Sequence, residues 1–541
     1  MRKPWVAAAC LGAAALHHLS SRRLPVGAFN DDAFFILLSK SLRRGFFGLP
    51  DGAPVTDPLP GFPALLMLPS WLVEPRWHLL KPLLLACAAL AVFLTWRLAR
   101  RFLPDAWALA CGLLVALNPV LVGLDGIVIP DIPYLALSLA LFLGAQEVCG
   151  KPGQVRWPIL VCLAGGAALA ALMRPQGALL ALCLGLAVCI LAGRTPALVF
   201  TAGALAPLAA WMGRNLLVDR TVTGFVSSWK SQFFLFEEPG RQAVHFVRLV
   251  GSVFGEGLVG AAGSLTWSAA AGFACLGLAG FGAVRLVRER KGAVAAAMAS
   301  YVIMVLALHS TWPLTESRYL LPMLPMVCIL ILAGARHWLG RRPLAAAALL
   351  ALPALASLRY DLAFARRGLQ GRPAFEPETM AWLRRNTPKD ARIESLSFHC
   401  VQLFAERRAV PPGLTVYDRD TWVASALVRG VDYLHVSAEL SSGEFSYPSL
   451  AYLKEPALER WARSTPYAAE LYSHPREATR VFRISHPDPQ RYLKAYSACL
   501  GASPPASSEI PAKVLAKDLK EALKAEPGLE CASAALRRLK L

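Results

Sequence analysis

Two adjacent carboxylates, Asp31 and Asp32, stand in Asn30-Asp31-Asp32-Ala33-Phe34-Phe35, directly after the first apolar segment of the chain. Acids placed where a chain leaves hydrocarbon cost desolvation energy, so they usually have a task. A carboxylate there can take a proton, orient a hydroxyl, hold a cation, or cap a helix, since Asp is favoured at a helix start. Asp131 repeats the situation in Pro130-Asp131-Ile132-Pro133, where Pro133 suits the first turn of a helix and Asp131 its cap. Four basic side chains complement these acids: Arg174 in Met173-Arg174-Pro175-Gln176, Arg214 in Arg214-Asn215, Lys230, and Arg318 in Glu316-Ser317-Arg318-Tyr319. A guanidinium binds phosphate through two donors and an ammonium binds it as a point charge, so such a set suits an anionic group such as a phosphate. The other reading of each Arg is that it snorkels to lipid head groups. Asp125 reads as a solvated loop acid, and His309 as a packing or head-group contact. No His/Cys/Asp/Glu cluster has metal-ligand spacing, so no cofactor is expected. A divalent metal held by Asp31 and Asp131 is chemically allowed but not predicted.

The elements that must position these groups are hydrocarbon. The 541 residues are 55% hydrophobic and 17% charged, against about 25% charge in soluble domains. With a mean hydropathy of +0.45, this composition belongs to an integral membrane protein. The net charge of +20 could signal nucleic acid, but the Lys and Arg residues fall in short loops and no nucleic-acid motif accompanies them. The partner such loops imply is the lipid bilayer. The 12 cysteines are scattered through apolar runs without a CxxC pair, which reads as packing.

Apolar segments at 5–19, 79–98, 107–124, 132–148, 157–173, 177–192, 196–212, 265–284, 293–308, 319–335 and 344–358 give about eleven membrane helices. The basic start of the chain also fits a signal peptide, but the spans that follow favour an uncleaved first helix. In the first loop, 20–78, Phe34, Phe35, Leu38 and Leu42 share one helical face, as in a helix lying in the interface. Residues 59–73 are apolar, short and proline-rich, and read as a surface or re-entrant element. With that segment not crossing and the N-terminus cytoplasmic, the basic loops at 97–101, 151–156, 194, 285–291 and 336–342 fall inside, as the positive-inside rule expects. Asp31, Asp32, Asp131, Arg174, Arg214 and Arg318 then fall together outside. Residues 1–358 form the membrane domain, 359–486 a soluble extracytoplasmic α/β domain, and 487–541 a polar, Lys-rich tail with a helix at 512–525.

Several short motifs occur together in a specific order. Asp31-Asp32-Ala33-Phe34-Phe35 is followed by Gly45-Phe46, then Asp57-Pro58-Leu59-Pro60-Gly61-Phe62-Pro63, Pro130-Asp131, Met173-Arg174-Pro175, Trp211-Met212-Gly213-Arg214 and Arg318-Tyr319-Leu320-Leu321-Pro322-Met323-Leu324-Pro325. Trp382-Leu383, Asn386-Thr387-Pro388 and Val431-Asp432-Tyr433 follow in the soluble part. Over about residues 1–485 this series resembles the GT-C superfamily of glycosyltransferases, in its protein-mannosyltransferase and aminoarabinose-transferase-like branch. The chain departs from that pattern at Asp32 (Glu), Phe34 and Phe35 (Tyr) and Asp131 (Glu). The resemblance implies a polytopic α-helical enzyme of the bacterial inner membrane. It would move a sugar from a polyprenyl-phosphate donor to an acceptor hydroxyl (on protein, lipid or glycan) outside the cytoplasm, with inversion. It also implies Asp31 as the general base, with Asp32 beside it, and Asp131, Arg174, Arg214, Lys230, Arg318 and Tyr319 as substrate-binding residues. Residues 59–73 and the loop 216–263, with Phe233, Phe234 and Phe236, are the expected groove for the carrier. The rival readings are a polytopic transporter and a polymerase or ligase of lipid-linked polysaccharide. A transporter buries its polar groups at mid-membrane and often repeats its halves, whereas here the polar groups sit at span ends and the halves differ.

Overall fold

A computed structural model describes the chain apart from residues 1–3, 22–25, 28–29, 51, 152–153, 220–238, 257, 259–264, 290–291, 312–316, 340–350, 352, 360, 363–376, 413–417, 438–454, 502–511, 528 and 539–541. It divides into two compact units: Met1–Val26 with Leu38–Gly368, and Gly27–Leu37 with Leu369–Leu541. The boundary falls inside one helix, Asn30–Arg43, whose start carries the acidic pair.

The first unit is a bundle of apolar helices. Trp77–Ala99, Arg194–Val218, Thr266–Arg288, Gly292–Ser310 and Arg318–Leu339 are each long and apolar enough to cross a membrane. Asp131–Gln146, Trp157–Met173 and Gln176–Ala192 are slightly shorter, close to the minimum of about 17 residues for a bilayer core. Residues 107–124, expected as one span, form two helices, Asp105–Ala116 and Pro119–Leu124. The break is local chemistry. Pro119 has no N–H to donate, and the Asn118 side chain accepts from the Val120 N–H to start the second helix. Gly61–Val73 has 13 residues, a rise of about 20 Å against a hydrocarbon core of about 30 Å. Leu68, Trp71 and Leu72 on it are exposed, while Phe62, Leu66 and Ser70 are buried, and Ser70 Oγ meets Ser39 Oγ at 2.9 Å. Lys40 and Arg43 both reach Glu74 at 2.6 Å, pinning the end of the Asn30–Arg43 helix beside this short element. Most of 344–358 lies outside the described residues.

Helices pack closely through small residues, the usual solution where lipid removes the hydrophobic drive for association. A Cβ on Gly282 would lie 1.9 Å from the Leu330 carbonyl oxygen, and one on Gly334 2.4 Å from that of Leu278. The Leu265–Arg288 and Leu324–Leu339 helices therefore meet backbone to backbone.

The second unit holds a five-stranded sheet: β1 (Arg392–Glu394), β2 (Arg408–Val410), β3 (Tyr433–Ser437), β4 (Ala468–His474) and β5 (Thr479–Ile484), in the order β2-β1-β3-β5-β4. β1 runs parallel to both β2 and β3, while β5 is antiparallel to β3 and β4. Both faces are covered, so β3 is buried along its whole length. Tyr433 and Val481 face a core with Met380, Leu383 and Val401; Leu434, Val436 and Phe482 face another with Trp422 and Leu458. The stretch 487–541, expected as a separate tail, contributes to the latter core. Its helices Pro489–Gly501, Ala512–Ala525 and Glu530–Arg538 place Tyr492, Leu519 and Ala532 there, with Leu529 just before the last. Their apolar positions recur at helical spacing, and packing on the sheet buries that stripe.

Glu394, at the end of β1, is fully buried; it takes the Trp422 Nε1–H at 3.0 Å and contacts the Arg429 guanidinium. Burial pushes its carboxyl up to about 7 against the pull of Arg429 and the Trp422 N–H. The folded state thus holds this proton over a pH range where the unfolded chain releases it. The stabilisation is complete below the ordinary Glu range and is lost as pH rises through about 7. Melting of the full-length protein should show this unit weakening between pH 5 and pH 8, and Glu394→Gln should flatten the dependence. An unchanged slope in Glu394→Gln would assign the titration elsewhere.

Candidate active site

In the first unit, four helix ends meet around Asp131 and Arg174. Asp131 opens the helix Asp131–Gln146, 4% exposed, with its carboxylate at the favourable end of the helix dipole. Arg174 stands between the helices Trp157–Met173 and Gln176–Ala192 with extended backbone. Pro175 cannot continue the first helix and starts the second, so the turn throws the Arg174 side chain sideways. Its guanidinium pairs with the Asp131 carboxylate, and its Nε donates to Gln176 Oε1 at 3.2 Å. Gln176 Nε2 in turn meets His309 Nε2 at 3.1 Å. The His309 ring stacks on Tyr319, with centroids 4.0 Å apart and planes 9° apart. The neighbouring Arg318 guanidinium lies over the Tyr319 ring, 5.9 Å from its centroid. A continuous path therefore runs Asp131–Arg174–Gln176–His309–Tyr319, with Arg318 beside it.

Of the side chains singled out in the sequence, the structure brings Asp131, Arg174, Arg318 and Tyr319 together. It set His309 aside and did not single out Gln176, the connecting side chain. The available signal was Gln176's place as the first residue of a helix following an Arg-Pro turn. The remaining basic ends, such as Arg194 and Arg336, lie a helix length away along Gln176–Ala192 and Leu324–Leu339.

Arg214 is engaged differently. Its Nη1 donates to the Val55 carbonyl at 2.8 Å and to Asn215 Oδ1 at 2.9 Å, and its Nη2 to the Phe47 carbonyl at 3.3 Å. Its guanidinium lies 4.7 Å from the Trp211 ring centroid, and Asn215 Nδ2 donates to the Thr56 carbonyl at 3.1 Å. Arg214-Asn215 thus straps down the loop at 47–56. Lys230, Phe233, Phe234 and Phe236 lie outside the described residues.

Asp125 is a correction. The expectation was a solvated acid, but it is fully buried and bonds His17 Nδ1. His17 Nε2 is satisfied by the Ala116 carbonyl at 2.7 Å. The helix break at Asn118 turns the chain back, so the following acid lands inside the bundle rather than in water.

In the second unit, the two adjacent acids part company. Asp32 is fully buried: Oδ2 accepts from the Gly27 N–H at 2.8 Å and Oδ1 from the Ala33 N–H at 2.7 Å. One oxygen thus ties the turn before the helix, and the other takes an N–H of the helix's first turn. Asp31 is partly exposed. Of the pair, Asp31 is the carboxylate with solvent access and Asp32 the one that shapes the turn.

A metal site needs converging donors, and among the described residues no three His, Cys, Asp or Glu side chains gather to hold an ion.

No protein-family model and no curated protein matches this sequence. Solved structures do match. The Archaeoglobus fulgidus oligosaccharyltransferase in complex with Zn and sulfate aligns with a TM-score of 0.56 at 14% identity, over 98% of this chain and 84% of its own. The same enzyme, AglB, in complex with an inhibitory peptide and a dolichol-phosphate aligns with a TM-score of 0.52 at 13% identity, over 99% and 83%. ArnT from Cupriavidus metallidurans, bound to undecaprenyl phosphate, aligns with a TM-score of 0.54 at 14% identity, over 90% of this chain and 100% of its own. The chain shares the fold of these solved structures.

Proposed function

We propose that the protein is an integral membrane glycosyltransferase that uses a polyprenyl-phosphate-linked sugar. The network from Asp131 through Arg174, Gln176 and His309 to Tyr319, with Arg318 alongside, carries this reading. It gathers a carboxylate and two guanidinium groups at one end of an apolar bundle, a set of charges suited to a phosphate-bearing lipid. That solved structures of the same fold hold dolichol-phosphate and undecaprenyl phosphate supports the donor class.

In this reading Asp31 takes the proton of the acceptor hydroxyl. The freed oxygen attacks the anomeric carbon from the side opposite the phosphate, the glycosidic C–O bond to phosphate breaks, and the configuration inverts. The electron pair leaves on polyprenyl phosphate. One carboxylate suffices because the phosphate is already a competent leaving group. Arg318 neutralises the charge that builds on its oxygens, with Arg174 and Lys230 as further cations. Asp131, held by Arg174, orients the sugar. Arg214 acts through the loop it straps, and Asp32 through the turn that presents Asp31. Residues 59–73, too short to cross, line the way for the carrier.

The active face is extracytoplasmic and the membrane a bacterial inner membrane. Cysteines introduced beside Asp131 and Arg318 should react with an impermeant maleimide from outside intact cells only. Labelling from the cytoplasmic side would overturn the topology. Mass analysis of outer glycolipids and glycoproteins, with and without the gene, identifies the acceptor.

A further inference from the structure

Residues Gly27–Leu37, although near the N-terminus, belong to the unit built by Leu369–Leu541. The attachment is specific. His399 lies in the helical turn Phe398–Cys400 that follows β1, so it stands past the carboxyl end of a parallel strand. In open α/β sheets that end is where ligands are held. Here it holds the chain's own segment. The His399 ring stacks on Phe34 with centroids 4.1 Å apart and planes 7° apart, and the Phe398 ring tilts against it at 44° with a centroid distance of 3.9 Å. One residue on, Cys400 Sγ donates to the Gly27 carbonyl at 3.4 Å. The Gly27 N–H is the group that Asp32 Oδ2 accepts from. Gly27 sits at φ +99°, a conformation that favours glycine, so the turn is fixed by residue type as well as by contact.

The soluble unit therefore grips the acidic turn at two points, one on each side of Asp31 and Asp32. We infer that His399 is a positioning residue: by stacking on Phe34 it sets the direction of Asp31 toward its substrate. This rests on the reading of Asp31 as the base. Burial keeps the ring neutral, with its pKa pushed down to about 3, so the stack does not depend on charge. Gln402 steadies the ring from Nδ1 at 3.4 Å and is itself anchored on the Ala409 carbonyl of β2 at 3.0 Å. The grip thus reads back into the sheet.

The test uses the full-length protein in nanodiscs and compares wild type, His399→Ala, His399→Phe and Asp31→Asn. Amide exchange followed by mass spectrometry is read on the peptide spanning 27–37 and on β5 as a global control. His399→Ala should speed exchange at 27–37 about tenfold, the change expected from losing one aromatic pair, with β5 unchanged. His399→Phe, which keeps a flat ring, should restore protection. Sugar transfer should follow: kcat falls about tenfold in His399→Ala with donor KM unchanged, and recovers in His399→Phe. Unchanged protection at 27–37 in His399→Ala overturns the inference, as does loosened 27–37 with unaltered kcat. Failure of the underlying reading looks different: Asp31→Asn would then transfer sugar at the wild-type rate, whatever the exchange data show.

Discussion

Asp31→Asn is expected to abolish sugar transfer while leaving the protein folded and in the membrane. Asn keeps the shape of the side chain and loses the ability to take a proton. A positioned base contributes about 10²–10⁴-fold, and the loss should fall in kcat with donor binding little changed. Folding should survive because Asp31 is partly exposed, whereas its neighbour carries the turn. Asp32→Asn makes the contrast. It replaces one of two backbone-accepting oxygens with an NH₂ group, so it should loosen the turn and lower both yield and activity. Rates in washed membranes, normalised to folded protein by size-exclusion chromatography, separate the two. Wild-type turnover in Asp31→Asn would remove this residue from the chemistry.

Breaking the Asp131–Arg174 pair should have the second large effect. Asp131 is 4% exposed, and Arg174 is the cation against it. Arg174→Met would strand a buried carboxylate, at a cost of about 3–5 kcal/mol, and would cut the path to Gln176. Thermal melting and yield should fall together with transfer. The double variant Asp131→Leu/Arg174→Leu distinguishes structure from chemistry. Replacing both partners with apolar groups is often neutral for stability, so melting should recover while transfer stays absent. Recovery of transfer in the double variant would make the pair purely structural.

The parts of this architecture written as local patterns were legible in the sequence. Helix 512–525 appears with those bounds, and the β-branched and aromatic runs at 433–436 and 480–484 lie within the strands Tyr433–Ser437 and Thr479–Ile484. Short elements such as Arg408–Val410 carry too few residues for a period to show, and are strands because β1 offers them partners. Asp125 misled for a similar reason. Whether an acid in a loop meets water or His17 depends on a chain direction set by Asn118-Pro119, and on a residue 108 positions away. Asp131, Arg174 and Arg318 were recognisable because charge at a span end is costly and therefore rare. Gln176 and His399 act through partners distant in sequence, which no window along the chain displays. The pairing of Gly27–Leu37 with the C-terminal unit is the extreme case: Cys400 and Gly27 are 373 positions apart.

The purified protein in vesicles, given polyprenyl-phosphate-linked sugars extracted from membranes, tests the transferase assignment without knowledge of the acceptor beyond its presence in the extract. The quantity to follow is free polyprenyl monophosphate by mass spectrometry. Its release should be matched mole for mole by a newly glycosylated product and be absent with Asp31→Asn. No release with any donor in the extract, or equal release from wild type and Asp31→Asn, would contradict it.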